Sequence, residues 1–325
     1  MGEFDLIDRF FKRPVRRAAL GVGDDCALLN PTPGMQLAIS TDLLLEGRHF
    51  LSTVDPVRLG HKALAVNLSD LAACGARPLA FTLALALPEA IDAWLEGFSR
   101  GLFALADAHD CELIGGDTTR GPLAICITVF GEVPPGQALL RSGARPGDDL
   151  YVSGTLGDAR LALEVFRGTR SVPQAAFEAA RERMEQPTPR VALGLALRGV
   201  ATAAADISDG LVGDLGHILK ASGTGACIDT SIAINLIAAR GHLTLEGGQS
   251  DAEFALECVL AGGDDYELVF TAPPAARNRV KAAAVQAQTP VTRIGRIEAE
   301  PGLRLVDGSG APVAGRFTSF DHFSD

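Results

Sequence analysis

The chain has 325 residues, more than the roughly 100–200 usual for one domain, so two domains are expected. Hydrophobic residues make up 47% and charged residues 21%, beside 36 Gly and 18 Pro, which excludes disorder and collagen. Lys and Arg number 29 against 40 Asp and Glu, and the net charge of −11 disfavours nucleic acid as a partner and requires an anionic ligand to be met locally.

The N-terminal GEFDLIDRFFKRPVRR carries acids and no continuous apolar core, so it reads as a short amphipathic helix and not as a signal peptide. Strands are expected at 36–41, 79–87, 123–133, 149–153 and 266–271. Helices are expected at 56–75, 92–110, 156–167, 189–199, 210–221 and 275–286. The mixture implies an α/β (mixed α+β) protein. Pro- and Gly-rich residues 133–149 separate two apolar strands and place the domain junction, giving domains at 1–140 and 147–325. The most apolar stretch, 78–87, is far short of the roughly 20 residues that span a bilayer, so no membrane is expected. Six scattered cysteines without a CxxC pair argue against a disulfide framework or zinc site and for a reducing cytoplasm.

Gly-Asp pairs recur beside apolar runs, in GVGDD (21–25), GGDTTRG (115–121), PGDD (146–149), GTLGD (154–158) and AGGDD (261–265). Each alone is good turn chemistry. In the helix 58–76, apolar on nearly every side, Asp70 lies one turn after Asn67 and needs a partner: water, an arginine or a metal. Ser40, Thr41 and Asp42 end a strand, where α/β folds expose binding groups. Asp117 follows two glycines and precedes two hydroxyls and Arg120, a set suited to a metal–phosphate unit. Asp206, Ser208 and Asp209 crowd the start of a helix, more polar groups than one cap requires. His49 is a lone histidine, which residue type alone reads as structural.

No GxxxxGK[ST], HRD, DFG, GxSxG or HExxH is present, which removes P-loop NTPases, protein kinases, α/β-hydrolases and zincins. Separated carboxylates with hydroxyl neighbours suit a hard cation with oxygen ligands, and magnesium fits because waters and substrate phosphates complete its shell. Several bridging ions would reconcile the negative chain with a polyphosphate.

In order, GVGDDCALL, ISTDLL, GRHF, KALAVNLSDLAACGARP, LIGGDTTRGPL, RSGARPGD, DISDGL, GGDDYEL and SFDHF resemble the thiamine-monophosphate kinase family over nearly the whole chain. The resemblance implies ATP-dependent phosphorylation of thiamine monophosphate, within the superfamily of aminoimidazole ribonucleotide synthetase, on a PurM-like pair of α/β domains whose N-terminal sheet forms a homodimer. It implies Mg²⁺ at Asp25, Ser40, Thr41, Asp42, Asp70, Asp117, Asp206 and Asp209. It further implies ATP at Gly116, Asp117, Arg141 and Ser208, and thiamine monophosphate at His49, Asp264 and Phe317. The acceptor phosphate is already anionic, so direct in-line transfer without a covalent nucleophile is expected. The family's GGED reads GGDD here, which places Asp264 one methylene short. The alternatives are another ATP-dependent enzyme of the superfamily or a noncatalytic magnesium- or nucleotide-binding module.

Overall fold

The structure, a computed structural model, describes residues 2–238, 249–315 and 317–320. They form two compact units, one of residues 1–71 with 76–138 and one of 72–75 with 139–325. The last three residues of the SFDHF motif lie outside the described residues.

The first unit runs α1 (Glu3–Phe10), β1 (Gln36–Leu45), α2 (Pro56–Cys74), β2 (Arg77–Leu87), α3 (Asp92–Ala108), β3 (Glu112–Arg120) and β4 (Ala124–Val133). Its sheet has the order β1-β4-β2-β3, with β4 antiparallel to both neighbours and β3 parallel to β2. A parallel pair needs a crossover, which α3 supplies. Alternation sends Phe81, Leu83, Leu85, Ile125, Ile127 and Val129 to a buried face. The opposite face of β1 exposes Leu37, Ile39, Leu43 and Leu45, between 40% and 59% accessible. In α2 the apolar residues leave almost no polar side: Leu64, Leu68 and Leu71 are buried, and so are Lys62, Asn67 and Ser69.

The second unit runs β5 (Asp149–Ser153), α4 (Asp158–Phe166), α5 (Gln174–Glu185), α6 (Val191–Ala196), β6 (Ala203–Ile207), α7 (Leu211–Ser222), β7 (Gly225–Asp229), α8 (Thr230–Ala233), α9 (Gln249–Ala261), β8 (Glu267–Ala272), α10 (Arg277–Gln286), β9 (Val291–Glu298) and β10 (Gly302–Val306). Its sheet has the order β10-β7-β9-β5-β8-β6, antiparallel except for β10 with β7. β5, β6 and β8 are buried along their whole length, and Leu150, Val152, Ile207, Leu211, Leu215 and Val269 join one core. Among the described residues, no helix is long and apolar enough to cross a membrane.

Candidate active site

Within the first unit, strand alternation and one helix turn decide which acids meet. Ser40 and Asp42 point to one side of β1 and Thr41 to the other. The Ser40 hydroxyl donates a short hydrogen bond to Asp70, and the Asp42 backbone N–H donates to Asn67 Oδ1 at 3.2 Å. Asn67 is itself held by a bond from its Nδ2 to the Ala63 carbonyl, 3.0 Å away. Ser40 and Asp42 are therefore gathered on the i, i+3 pair of α2, Asn67 and Asp70. Thr41 instead bonds Thr128 across the strand pair at 2.9 Å, on the exposed side.

Asp117 stands elsewhere. The register Leu43–Cys126–Ala84–Asp117 runs straight across the sheet, so Asp117 shares the exposed face with Leu43, not the face of Asp42. Three strand spacings of about 4.8 Å separate β3 from β1. Gly116, Asp117, Asp24 and Asp25 instead line one cavity of about 810 Å³, walled by Phe4, Ile7, Asp8 and Lys12 from the N-terminal segment. Gly116 is obligatory there: at φ 150° its added Cβ would lie 1.9 Å from the Leu83 carbonyl oxygen. Lys12 reaches Asp8 at 2.8 Å and is the cation among those walls. His49 sits in the turn after β1, where its Nδ1 accepts the Leu45 N–H at 3.0 Å, which leaves the ring proton of the neutral form on Nε2.

Within the second unit two loops are laced together. Ser208 to Gly210 follow β6, Gly262 to Tyr266 precede β8, and the β6–β8 pairing sets them side by side. The Asp264 N–H donates to the Ser208 carbonyl at 2.7 Å and the Tyr266 N–H to the Ile207 carbonyl at 2.8 Å. Asp264 and Tyr266 are left-handed at φ 61° and 52°, conformations that cost non-glycine residues of order 1–3 kcal/mol and persist only where their surroundings hold them. The C-terminal segment joins the loops. The Phe320 N–H donates to the Asp209 carbonyl at 3.1 Å, and Phe317 packs half-buried on the core. Asp206, Ser208, Asp209, Asp264 and the C-terminal segment are thus brought together, with Asp206 buried.

Arg141 is not. The Ala204 N–H donates to the Leu140 carbonyl at the start of β6, and Ser222, which ends α7, donates to the Arg141 carbonyl at 3.3 Å. Ser208 lies at the other end of both elements, and a 12-residue helix such as α7 is about 18 Å long.

Three buried acids under these loops were not singled out in the sequence. Asp214 Oδ2 accepts the backbone N–H groups of Ser208, Asp209 and Gly210, each at 3.1 Å. Burial, then the neighbouring Asp209, pushes its carboxyl up to about 7. Asp265 accepts the Gly157 N–H at 3.0 Å, and burial holds its carboxyl well above the ordinary range. Glu267, fully buried, takes Arg190 Nε at 2.6 Å, Arg183 Nη2 at 2.7 Å and the Ser153 hydroxyl at 2.6 Å. Gly154 makes room for it, since a Cβ there would lie 2.1 Å from Glu267 Oε1. The signal for Asp214 was available: it shares the helix face of Leu211, Leu215 and Ile218, and a carboxylate on an apolar face requires donors.

Among the described residues no three His, Cys, Asp or Glu side chains form a ready metal-holding group. The donors gathered in each unit are nevertheless hard oxygens, and magnesium usually takes only one or two protein carboxylates, so these residues fit the ion.

The chain matches the AIR synthase related protein N-terminal domain over residues 23–133 and the corresponding C-terminal domain over residues 145–308. It is 49% identical to the thiamine-monophosphate kinase of Salmonella typhimurium, across 99% of this chain and 98% of that one. The crystal structure of thiamine-monophosphate kinase from Stenotrophomonas maltophilia K279a is 45% identical, with a TM-score of 0.82 over 95% of this chain and 96% of that one. The structure of AaThiL complexed with AMPPCP and TMP is 31% identical, with a TM-score of 0.76 over 90% of this chain and 89% of that one.

Proposed function

The chain belongs to the thiamine-monophosphate kinase family, and from that membership we infer that it transfers the γ-phosphoryl group of ATP to thiamine monophosphate, giving thiamine diphosphate and ADP. The observation that carries the inference is near-half identity along the whole chain to a thiamine-monophosphate kinase, beside a relative that binds both AMPPCP and TMP.

In the reaction a phosphate oxygen of thiamine monophosphate attacks the γ-phosphorus in line, the new O–P bond forming as the bond to the β,γ-bridging oxygen breaks and its electron pair leaves with ADP. The acceptor is an anion near neutral pH, so no base and no phosphoenzyme are needed, and orientation and charge neutralisation are the task. Asp25, Ser40, Thr41, Asp42, Asp70, Asp117, Asp206 and Asp209 would hold Mg²⁺, which supplies neutralisation of the phosphate charge when bound. Gly116, Asp117, Arg141 and Ser208 are assigned to ATP, and His49, Asp264 and Phe317 to thiamine monophosphate. The close approach of backbone permitted by Gly116, beside a carboxylate-lined cavity, supports the phosphate end of this assignment. The left-handed Asp264, held against Ser208, supports placing the acceptor's cationic ring near that carboxylate.

The N-terminal domain, 1–140, is assigned to ATP, magnesium and dimerisation, and residues 147–325 form the C-terminal domain. The exposed Leu37, Ile39, Leu43 and Leu45 support a homodimer through the N-terminal sheet, because a contiguous apolar face of that kind marks an interface. A cytoplasmic setting accords with ATP as co-substrate. The test is a product assay: purified protein with ATP, thiamine monophosphate and Mg²⁺ should form ADP and thiamine diphosphate in equal amounts. ADP formed without thiamine diphosphate would overturn the assignment. Sedimentation of a fully active monomer would remove the dimer.

A further inference from the structure

Three successive backbone N–H groups, those of Ser208, Asp209 and Gly210, converge on a single carboxylate oxygen, Asp214 Oδ2, at 3.1 Å each. Convergent amides at the start of a helix form an anion-binding hollow, and the helix dipole strengthens it. In other proteins such hollows take phosphate. Here the hollow is filled from within: Asp214 is 3% exposed and belongs to the first turn of the same helix. The outer side of the loop is fixed as well, by the bonds from Asp264 N–H to the Ser208 carbonyl and from Phe320 N–H to the Asp209 carbonyl. Gly210 is held at φ 116° and Asp264 at φ 61°, so the loop is over-determined from both sides.

We propose that Asp214 is a positioning residue for the phosphoryl transfer: by occupying the anion hollow at the start of α7 it fixes the loop and turns the Ser208 and Asp209 side chains, not the loop amides, toward the substrates. The proposal rests on the kinase reading above. It carries a specificity consequence, because phosphate has no access to those amides while Asp214 is in place. Substrate phosphate must then be met by side chains and metal.

The test uses the full chain and two variants, Asp214→Ala and Asp214→Asn, with steady-state kinetics and amide hydrogen exchange measured together. Asparagine keeps an oxygen at the same place, so it should stay within about tenfold of the wild-type kcat, because the three N–H bonds can still form. Alanine should lose about a hundredfold in kcat, the scale of a displaced reacting group, with either KM changed less than about threefold. In the wild type the amides of 208–210 should exchange slowly; in Asp214→Ala they should exchange fast while the strands of the same unit remain protected. Inorganic sulfate should restore protection of those amides in Asp214→Ala and do nothing in the wild type. Fast exchange at 208–210 in the wild type overturns the proposal whatever the activity, and so does an Asp214→Ala enzyme with wild-type kcat. Equal losses in both variants, in proportion to a lower folded fraction, also overturn it by reducing Asp214 to a stability role. A wild type that forms no thiamine diphosphate refutes the kinase reading instead, and exchange then still decides whether Asp214 holds the loop.

Discussion

Two carboxylates buried to nearly the same depth, one in each unit, are treated in opposite ways. Glu132 of the first unit is 1% exposed and Asp265 of the second is 3% exposed. Burial pushes Glu132 up, but Arg77, the Thr32 hydroxyl and the Thr32 N–H outweigh it and hold the carboxyl below its ordinary value. Glu112 behaves likewise under the N–H groups of Arg17, Arg16 and Ala18. The Asp265 carboxylate accepts the N–H of Gly157 and is helped by Arg183 only at longer range, and burial wins. Partners, and not depth, decide whether a buried acid stays charged. Two residues from Asp265 on the same chain, Glu267 is buried just as completely but is clamped by Arg183 and Arg190.

The largest expected effect tests that clamp. Glu267→Ala removes the carboxylate that Arg183 and Arg190, with side chains only 20% and 16% exposed, hold at hydrogen-bond distance. Removing one partner of a buried ion pair costs about 3–5 kcal/mol, which urea denaturation should register as a lower midpoint. Glu132→Ala should cost less, because Arg77 is 45% exposed and water can take over its charge. Equal losses would break the comparison.

Next in size are the acids assigned to metal. Asp70→Asn and Asp117→Asn should each lower kcat by about a hundredfold or more while leaving the melting temperature near the wild-type value, because asparagine keeps the size of the side chain and one oxygen acceptor but removes the charge a metal needs. Turnover close to wild type in both would sink the metal assignment. Asp264→Ala should act mainly on the acceptor, raising the KM for thiamine monophosphate by the equivalent of about 1–3 kcal/mol with the ATP constant unchanged. A loss of ATP affinity instead would move Asp264 to the nucleotide side.

Sequence reading reached the long, strongly patterned elements. The helix expected at 56–75 is α2 at Pro56–Cys74, and the strand at 79–87 lies within β2 at Arg77–Leu87. β6 was absent from that reading because AAADI is buried throughout, with small residues and no alternation. α5 hides for a related reason: its buried stripe is Ala176, Ala180 and Met184, too small to mark an apolar face. β9 is broken in sequence by Arg293, Gly295 and Arg296, which the sheet tolerates because Arg293 pairs with Asp149. For the candidate site, the loops were visible as Gly-Asp turns and the resemblance named their acids. Much of what holds the loops was not visible: Asp214 could be read from its helix face, but Asp265 and Glu267 find their partners through tertiary contacts 77 to 114 residues away. The separation of Asp117 from Asp42 depends on strand register, which no local pattern encodes.

The last test is the sharpest for the contrast between Asp265 and Glu132, because it is one of sign. For Asp265 the folded value is raised, so between about pH 4, where an unfolded Asp titrates, and that raised value the folded chain keeps a proton the unfolded chain has lost. The stability it contributes is full below about pH 4 and drains away as pH rises. For Glu132 the folded value is lowered, so its contribution is present above about pH 4.3 and drains away as pH falls. Asp265→Asn removes the first dependence and Glu132→Gln the second. Measured against wild type at each pH, Asp265→Asn should gain relative stability from pH 5 to pH 7, by up to about 1.4 kcal/mol per pH unit while the folded group holds its proton. Glu132→Gln should show a constant deficit over that range, shrinking only in more acid solution. Thermal melts at matched ionic strength read both differences. Curves of the same sign would mean that the two buried acids are handled alike, and that Arg77 and the N–H and hydroxyl of Thr32 do not separate Glu132 from Asp265.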